Sequence, residues 1–209
     1  MTAADVRDLV TRLCAAFEQE RDALATLDAA TGDGDHGAGM MRGFGRARDA
    51  VAELGDDDVG ALLVAAGKGL MAGVGGASGA LFASLFLELG KVAAGARTLQ
   101  TEHLAEGITQ AVATIRRRGR SEPGDKTMLD ALTPAAEALR AHAGAPLAEA
   151  LGAAAHAARA GAEATRAMPA RHGRARYAAD AGVGHLDPGA VSMALVFETW
   201  HAAALGGPA

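Results

Sequence analysis

Leu27-Asp28-Ala29-Ala30-Thr31-Gly32-Asp33-Gly34-Asp35-His36-Gly37 separates two long runs of helical periodicity. Its reading decides between a helical fold and a nucleotide-binding α/β fold. Gly32, Gly34 and Gly37 satisfy the G-x-G-x-x-G spacing of a dinucleotide loop. Such a loop follows a buried strand and offers bare amides to pyrophosphate. The preceding Leu24-Ala25-Thr26-Leu27 is a poor strand, and Asp33 and Asp35 would repel an uncompensated phosphate. An EF-hand beginning at Asp33 needs an oxygen ligand where Gly37 stands and a glutamate where Phe44 stands, so that motif fails too. What remains is a helix-connecting loop that carries Asp28, Asp33 and Asp35 within eight residues. Carboxylates this close repel one another unless positive charge sits among them. Hard divalent cations such as Mg2+ take oxygen ligands of this kind and commonly serve phosphates. The plain alternative is a solvated acidic turn, since Asp and Gly are ordinary turn residues.

The composition fits a folded domain. At 209 residues, with 50% hydrophobic and 22% charged residues, the chain can bury one full core. Aromatics make up only 3%, and the net charge is −5. Both argue against nucleic acid as the partner, because stacking platforms and cationic faces are missing. The single cysteine, Cys14, excludes a disulfide framework and a cysteine-based metal site, and its apolar neighbours make it a buried thiol. No signal peptide and no membrane-length apolar run is visible, so the expectation is a soluble, cytoplasmic protein.

Apolar residues recur at helical spacing almost throughout, and eight helices are expected. The first spans Ala3 to Thr26, with Thr2 and Asp5 as a capping box. The second runs from Ala38 to Leu54. The third follows the acidic Asp56 to Asp58 and ends near Gly73, and the fourth follows Gly75-Gly76-Ala77-Ser78-Gly79. The fifth runs from Thr101, its expected N-cap, to Gly119. Asp125 is the expected cap of the sixth. The seventh runs from Pro146 to Met168. A polar stretch from Pro169 to Leu186 then has the length of a functional loop. Asp187-Pro188 opens the eighth, and the lone Trp200 packs it into the core. An all-α single domain of antiparallel helices, residues 1–209, is the economical fold.

Four further segments combine glycine or proline with a polar group at a helix start. Gly75 to Gly79 exposes amides that attract anions. Gly119-Arg120-Ser121-Glu122-Pro123-Gly124-Asp125-Lys126-Thr127-Met128 mimics a phosphate loop. Asp125 separates Gly124 from Lys126 and no strand precedes it, so it is not one, although its Lys, Thr and Met could meet a nucleotide. Arg171-His172-Gly173-Arg174-Ala175-Arg176-Tyr177 is a basic loop whose arginines suit phosphate. Gly184-His185-Leu186-Asp187-Pro188-Gly189 puts amides and a cap at the last helix. Each also has a purely structural reading as a turn or a cap.

Taken in order, these motifs resemble the nucleotide-binding (L) subunit of dihydroxyacetone kinase over nearly the whole chain. The resemblance implies a closed barrel of eight antiparallel helices with nucleotide in the loops at one end. It implies that Asp28, Asp33 and Asp35 hold two Mg2+ ions. His36, Gly37, Ala38 and Gly39 would line ADP or ATP, with Ala77 and Ser78 on phosphate. Gly119, Thr127 and Met128 would frame the base and ribose, Arg174 would meet phosphate, and Asp187, Pro188 and Gly189 would close the pocket. Arg174 and His36 are the candidate catalytic residues, His36 being equally readable as a loop residue bonded to a neighbouring aspartate.

The implied reaction is phosphoryl transfer to dihydroxyacetone held on a separate substrate subunit. ADP would stay bound as a coenzyme, rephosphorylated by a phosphohistidine protein of the phosphotransferase system, or ATP would exchange. A homodimer is left open. Gly39 stands where the family usually has Asn, and Arg176 and Ala178-Ala179-Asp180 also depart from its pattern. These departures keep two alternatives in view: a kinase subunit for another small ketose or triose, and a nucleotide-loaded adaptor without catalysis.

Overall fold

Thr2 starts the first helix as the sequence suggests: its hydroxyl accepts the Asp5 amide, and the Asp5 carboxylate accepts the Thr2 amide. From there a computed structural model describes residues 1–55 and 57–206, and of Ala77 the backbone alone. The expected charge at Asp56 lies outside the described residues. Among these residues there are nine α-helices: α1 (Ala3–Gln19), α2 (Arg21–Ala29), α3 (His36–Glu53), α4 (Val59–Val74), α5 (Gly76–Val92), α6 (Thr101–Gly119), α7 (Leu129–Ala141), α8 (Leu147–Ala164) and α9 (Pro188–Ala204). No β-strand occurs among them, and one isolated bridge joins Thr2 to Thr98.

The fourth expected helix starts already at Gly76 and the seventh ends at Ala164 rather than Met168, and three further differences have a local cause. The first expected helix is two, because Glu20 leaves helical geometry at φ −87°, ψ 4°. The break lets α2 lie across α3, where a side chain at Gly37 would stand 2.0 Å from the Arg21 carbonyl. The cap of α6 is Gln100, not Thr101. The Thr101 hydroxyl donates instead to the Ala145 carbonyl at 3.1 Å and ties α6 to the α7–α8 turn. Asp125 does not cap α7, which starts at Leu129, because Lys126 sits at φ +61° and interrupts helical geometry. Asp187 does cap α9, accepting the Ala190 amide with Pro188 in the first turn.

The helices α1, α3, α4, α5, α6, α7, α8 and α9 pack side by side in that order, and α9 returns to α1. The short α2 lies against α3 and α9. Small residues set the spacing of this wall. At Gly69 a Cβ would lie 2.6 Å from the backbone of Ala47, so α3 and α4 touch backbone to backbone. Inside the ring, all five phenylalanines and Trp200 are buried. Phe17 stacks on Phe44 at 4.4 Å, Phe44 meets Phe86 edge-on, and Phe86 lies parallel to Trp200 at 6.4 Å. The few aromatics are therefore concentrated where small side chains alone would leave a void. No helix of the described residues is long and apolar enough to cross a membrane.

Most connections are short, α8–α9 being the long exception, and ring neighbours run antiparallel. The loops α2–α3, α4–α5, α6–α7 and α8–α9 consequently meet at one end of the barrel, together with the N-termini of α3, α5, α7 and α9.

Candidate nucleotide and metal site

At that end lies a cavity of about 620 Å³. All four loops contribute to it: Asp28, Gly32 and His36 from the first, Gly76 and Ser78 from the second, Gly119 and Lys126 to Met128 from the third, and His172 to Ala175 with Asp187 to Gly189 from the fourth. Leu81, Phe82 and Ile115 form an apolar side suited to a flat ring.

One carboxylate oxygen from each of Asp28, Asp33 and Asp35 can be chosen so that all lie within 4.8 Å of one another. The local backbone is built for this. A Cβ at Gly32 would stand 2.5 Å from Asp28 Oδ1 and 3.0 Å from the Asp28 carbonyl, so a larger residue would crowd that carboxylate. Asp28 Oδ2 accepts the His36 amide at 3.3 Å, at the N-terminus of α3. Asp35 occupies the N-cap position of α3 but makes no side-chain cap bond, which leaves its oxygens available. Arg174 reaches across from the α8–α9 segment to Asp33. Three converging carboxylates suit a hard cation, and Arg174 offsets part of their charge. The residues fit the Mg2+ that the family resemblance implies.

His36 is fixed on both sides. Its Nε2 lies 2.8 Å from Ser192 Oγ, its ring also bonds the Pro188 carbonyl, and Phe82 packs 6.3 Å away. Burial lowers its pKa, with Asp28 and Asp35 opposing, so the imidazole is neutral at pH 7. Its partners are thus on α9 rather than in its own loop. Asp187 takes the opposite shift: burial pushes it up to about 7, the Ala190 amide and Lys126 oppose this, and Asp130 and Asp28 add to it.

The other expected site residues divide. Ser78, Gly119, Thr127, Met128, Arg174, Asp187, Pro188 and Gly189 line the cavity with Asp28 and His36. Asp33 faces an adjoining hollow beside Arg174 and Tyr177, and Asp35 is at the exposed rim. Gly37, Ala38 and Gly39 are not among the lining residues. Gly37 backs onto α2, and a Cβ at Gly39 would stand 3.2 Å from the Val74 carbonyl. The Ala77 side chain lies outside the described residues. Sequence reasoning missed Arg118, the last of three consecutive arginines closing α6, whose guanidinium donates to Ser84 Oγ at 3.1 Å. It also missed Thr31 and Ser121, which carry no local signal.

Residues 30–202 match the family model described as the DAK2 domain. The chain belongs to the DAK2-domain family. It is 35% identical over 200 residues to the PEP-dependent dihydroxyacetone kinase ADP-binding subunit DhaL of Escherichia coli, covering 95% of each chain. It is 38% identical to the D-erythrulose kinase of Mycolicibacterium smegmatis, covering 88% of this chain and 32% of that protein. The fold matches the crystal structure of the dihydroxyacetone kinase from C. freundii in complex with AMP-PNP and Mg2+, with a TM-score of 0.75 and 29% identity over 95% of this chain. The DAK2 domain described here corresponds to about a third of that kinase chain (33%).

Proposed function

We propose that this chain is the ADP- and Mg2+-binding subunit of a dihydroxyacetone kinase, acting on a ketone held by a separate subunit. The observation that carries the reading is the convergence of the Asp28, Asp33 and Asp35 oxygens beside a cavity that also gathers helix N-termini, basic residues and an apolar side. Bound Mg2+ and nucleotide would supply charge neutralisation and the transferable phosphoryl group. Asp28, Asp33 and Asp35 would hold two metal ions. Arg174, paired with Asp33 here, would turn to the phosphates. The α5 N-terminus at Gly76 to Ser78 would offer amides to the same charge. Neutral His36, held by Ser192 and Pro188, would fix the start of α3 and with it the acidic loop. Leu81, Phe82 and Met128 would take the base.

The match over 95% of a free-standing ADP-binding subunit supports a separate substrate subunit and a phosphohistidine phosphodonor. A different ketose acceptor is the second reading, favoured by the identity with D-erythrulose kinase. Two measurements test the proposal. Denaturing the purified chain releases ADP stoichiometrically if ADP is a resident coenzyme. Asp33→Ala weakens ADP–Mg2+ binding in calorimetry at least about tenfold, the scale of one lost charge-assisted contact, while far-UV circular dichroism is unchanged. Unchanged affinity in that variant refutes the assignment. Adding a substrate subunit and either dihydroxyacetone or erythrulose identifies the acceptor.

A further inference from the structure

We propose that Asp125 and Lys126 together act as a positioning hub for Arg174, holding the long α8–α9 segment from inside rather than touching the ligand. The proposal rests on Arg174 meeting phosphate. The segment from Thr165 to Asp187 has little regular structure: short 3-10 turns at Thr165–Ala167, Ala175–Tyr177 and Ala179–Gly182, with Asp180 and Ala181 at φ +48° and +49°. Something outside the segment must hold it, because left-handed non-glycine residues persist only when their surroundings fix them.

The two neighbouring residues supply the anchors. Lys126 is buried, 3% exposed, and its ammonium donates to the Thr165 carbonyl at 2.7 Å and the His185 carbonyl at 2.5 Å, near the two ends of the segment. The Asp125 carbonyl accepts the Arg171 amide at 3.1 Å. The Asp125 carboxylate faces His172 Nε2 at 3.2 Å and Arg171 Nη1 at 3.6 Å. These contacts lie within three residues of Arg174. The hub is itself held, since Asp130 in the first turn of α7 accepts the amides of Gly124 and Thr127 at 2.5 and 2.7 Å. An ammonium has three donors, and two are already committed to backbone carbonyls. A lysine so engaged is a poor phosphate ligand and a good clamp. It also accounts for a left-handed residue at position 126, because that conformation breaks the helical course before α7.

The test uses the whole chain, first without ligand. Lys126→Met should raise amide exchange across residues 166–186 at least about tenfold while α1 to α5 keep their protection. Unchanged exchange overturns the proposal. Asp125→Asn, a nearly isosteric change, should loosen residues 170–176 selectively, and serves if Lys126→Met does not fold. No loosening there also overturns it. With ADP–Mg2+, a double-mutant cycle separates a positioning role from direct binding. Lys126→Met should weaken binding about tenfold in the wild-type background and less than about twofold beside Arg174→Ala. Equal losses in both backgrounds overturn the proposal. Failure of the wild-type chain to bind ADP–Mg2+ would instead remove the proposed function and leave the exchange result to decide the clamp.

Discussion

Asp187→Asn should stabilise the protein, and only above acidic pH. Asp187 accepts the Ala190 amide at 2.7 Å and so caps α9. Asn caps as well as Asp, so the substitution keeps the hydrogen bond and removes the titrating proton. Burial raises the Asp187 pKa from 3.8 to about 7. A group held protonated by the fold contributes its stability in full below about pH 4, where both folded and unfolded chains carry the proton. That contribution disappears as pH rises through about 7. Three units at ~1.4 kcal/mol each amount to roughly 4 kcal/mol. Asp187 keeps some contact with solvent at the cavity wall, which brings the expectation to roughly 2–4 kcal/mol. The attraction of the carboxylate to the α9 N-terminus, ~0.3–1 kcal/mol, works the other way and is smaller. In metal-free buffer, urea unfolding followed by circular dichroism should find the two proteins equal near pH 4. By pH 8 the variant should be more stable by that amount. A pH-independent gap, or a more stable wild type at pH 8, would refute the reasoning.

Three other substitutions probe the frame around the site. Gly37→Ala places a methyl 2.0 Å from the Arg21 carbonyl, so α2 must move. A loss of ~1–3 kcal/mol in urea unfolding, with weaker ADP–Mg2+ binding, is expected from the overpacking. Ser192→Ala removes the partner of His36 Nε2 and should lower stability by ~1–3 kcal/mol, with a shift of the His36 ring nitrogens in NMR spectra. Phe86→Ala should lower stability by ~3–5 kcal/mol and change the near-UV circular dichroism of Trp200, which stacks on that ring.

The helical class was legible because the wall helices are long and their apolar residues fall at regular spacing. Thr2, Asp5, Asp187 and Pro188 marked ends through side-chain chemistry that acts within one turn. The boundaries that shifted depend on contacts far away in the sequence. The break at Glu20 reflects how α2 crosses α3 at Gly37. Thr101 was diverted from capping by a carbonyl 44 residues further on. The same division runs through the site. The acidic loop was readable because its carboxylates are neighbours in sequence, and their oxygens do converge. Arg118 was not, because only the barrel brings the end of α6 to the cavity. Nor could the sequence separate the lysine of a phosphate-loop mimic from a clamp, since both need a lysine flanked by tight turns. What separates them is the pair of carbonyls that meets the ammonium.

Closing the ring explains why these pieces meet at all. In an antiparallel barrel, alternate connections fall at the same end, and so do the N-termini of α3, α5, α7 and α9. Those termini favour anions, and the acids between α2 and α3 favour cations. Neither feature alone selects a ligand. A metal-bound polyphosphate would satisfy both, with the carboxylates to hold its metals and the amides to meet its oxygens. The cavity lining meets the remaining demand, with apolar Leu81, Phe82 and Met128 able to cover a ring. On the proposed reading the chain would carry the nucleotide half of a phosphoryl transfer, and the ketone would be recognised by the subunit that docks over the loops.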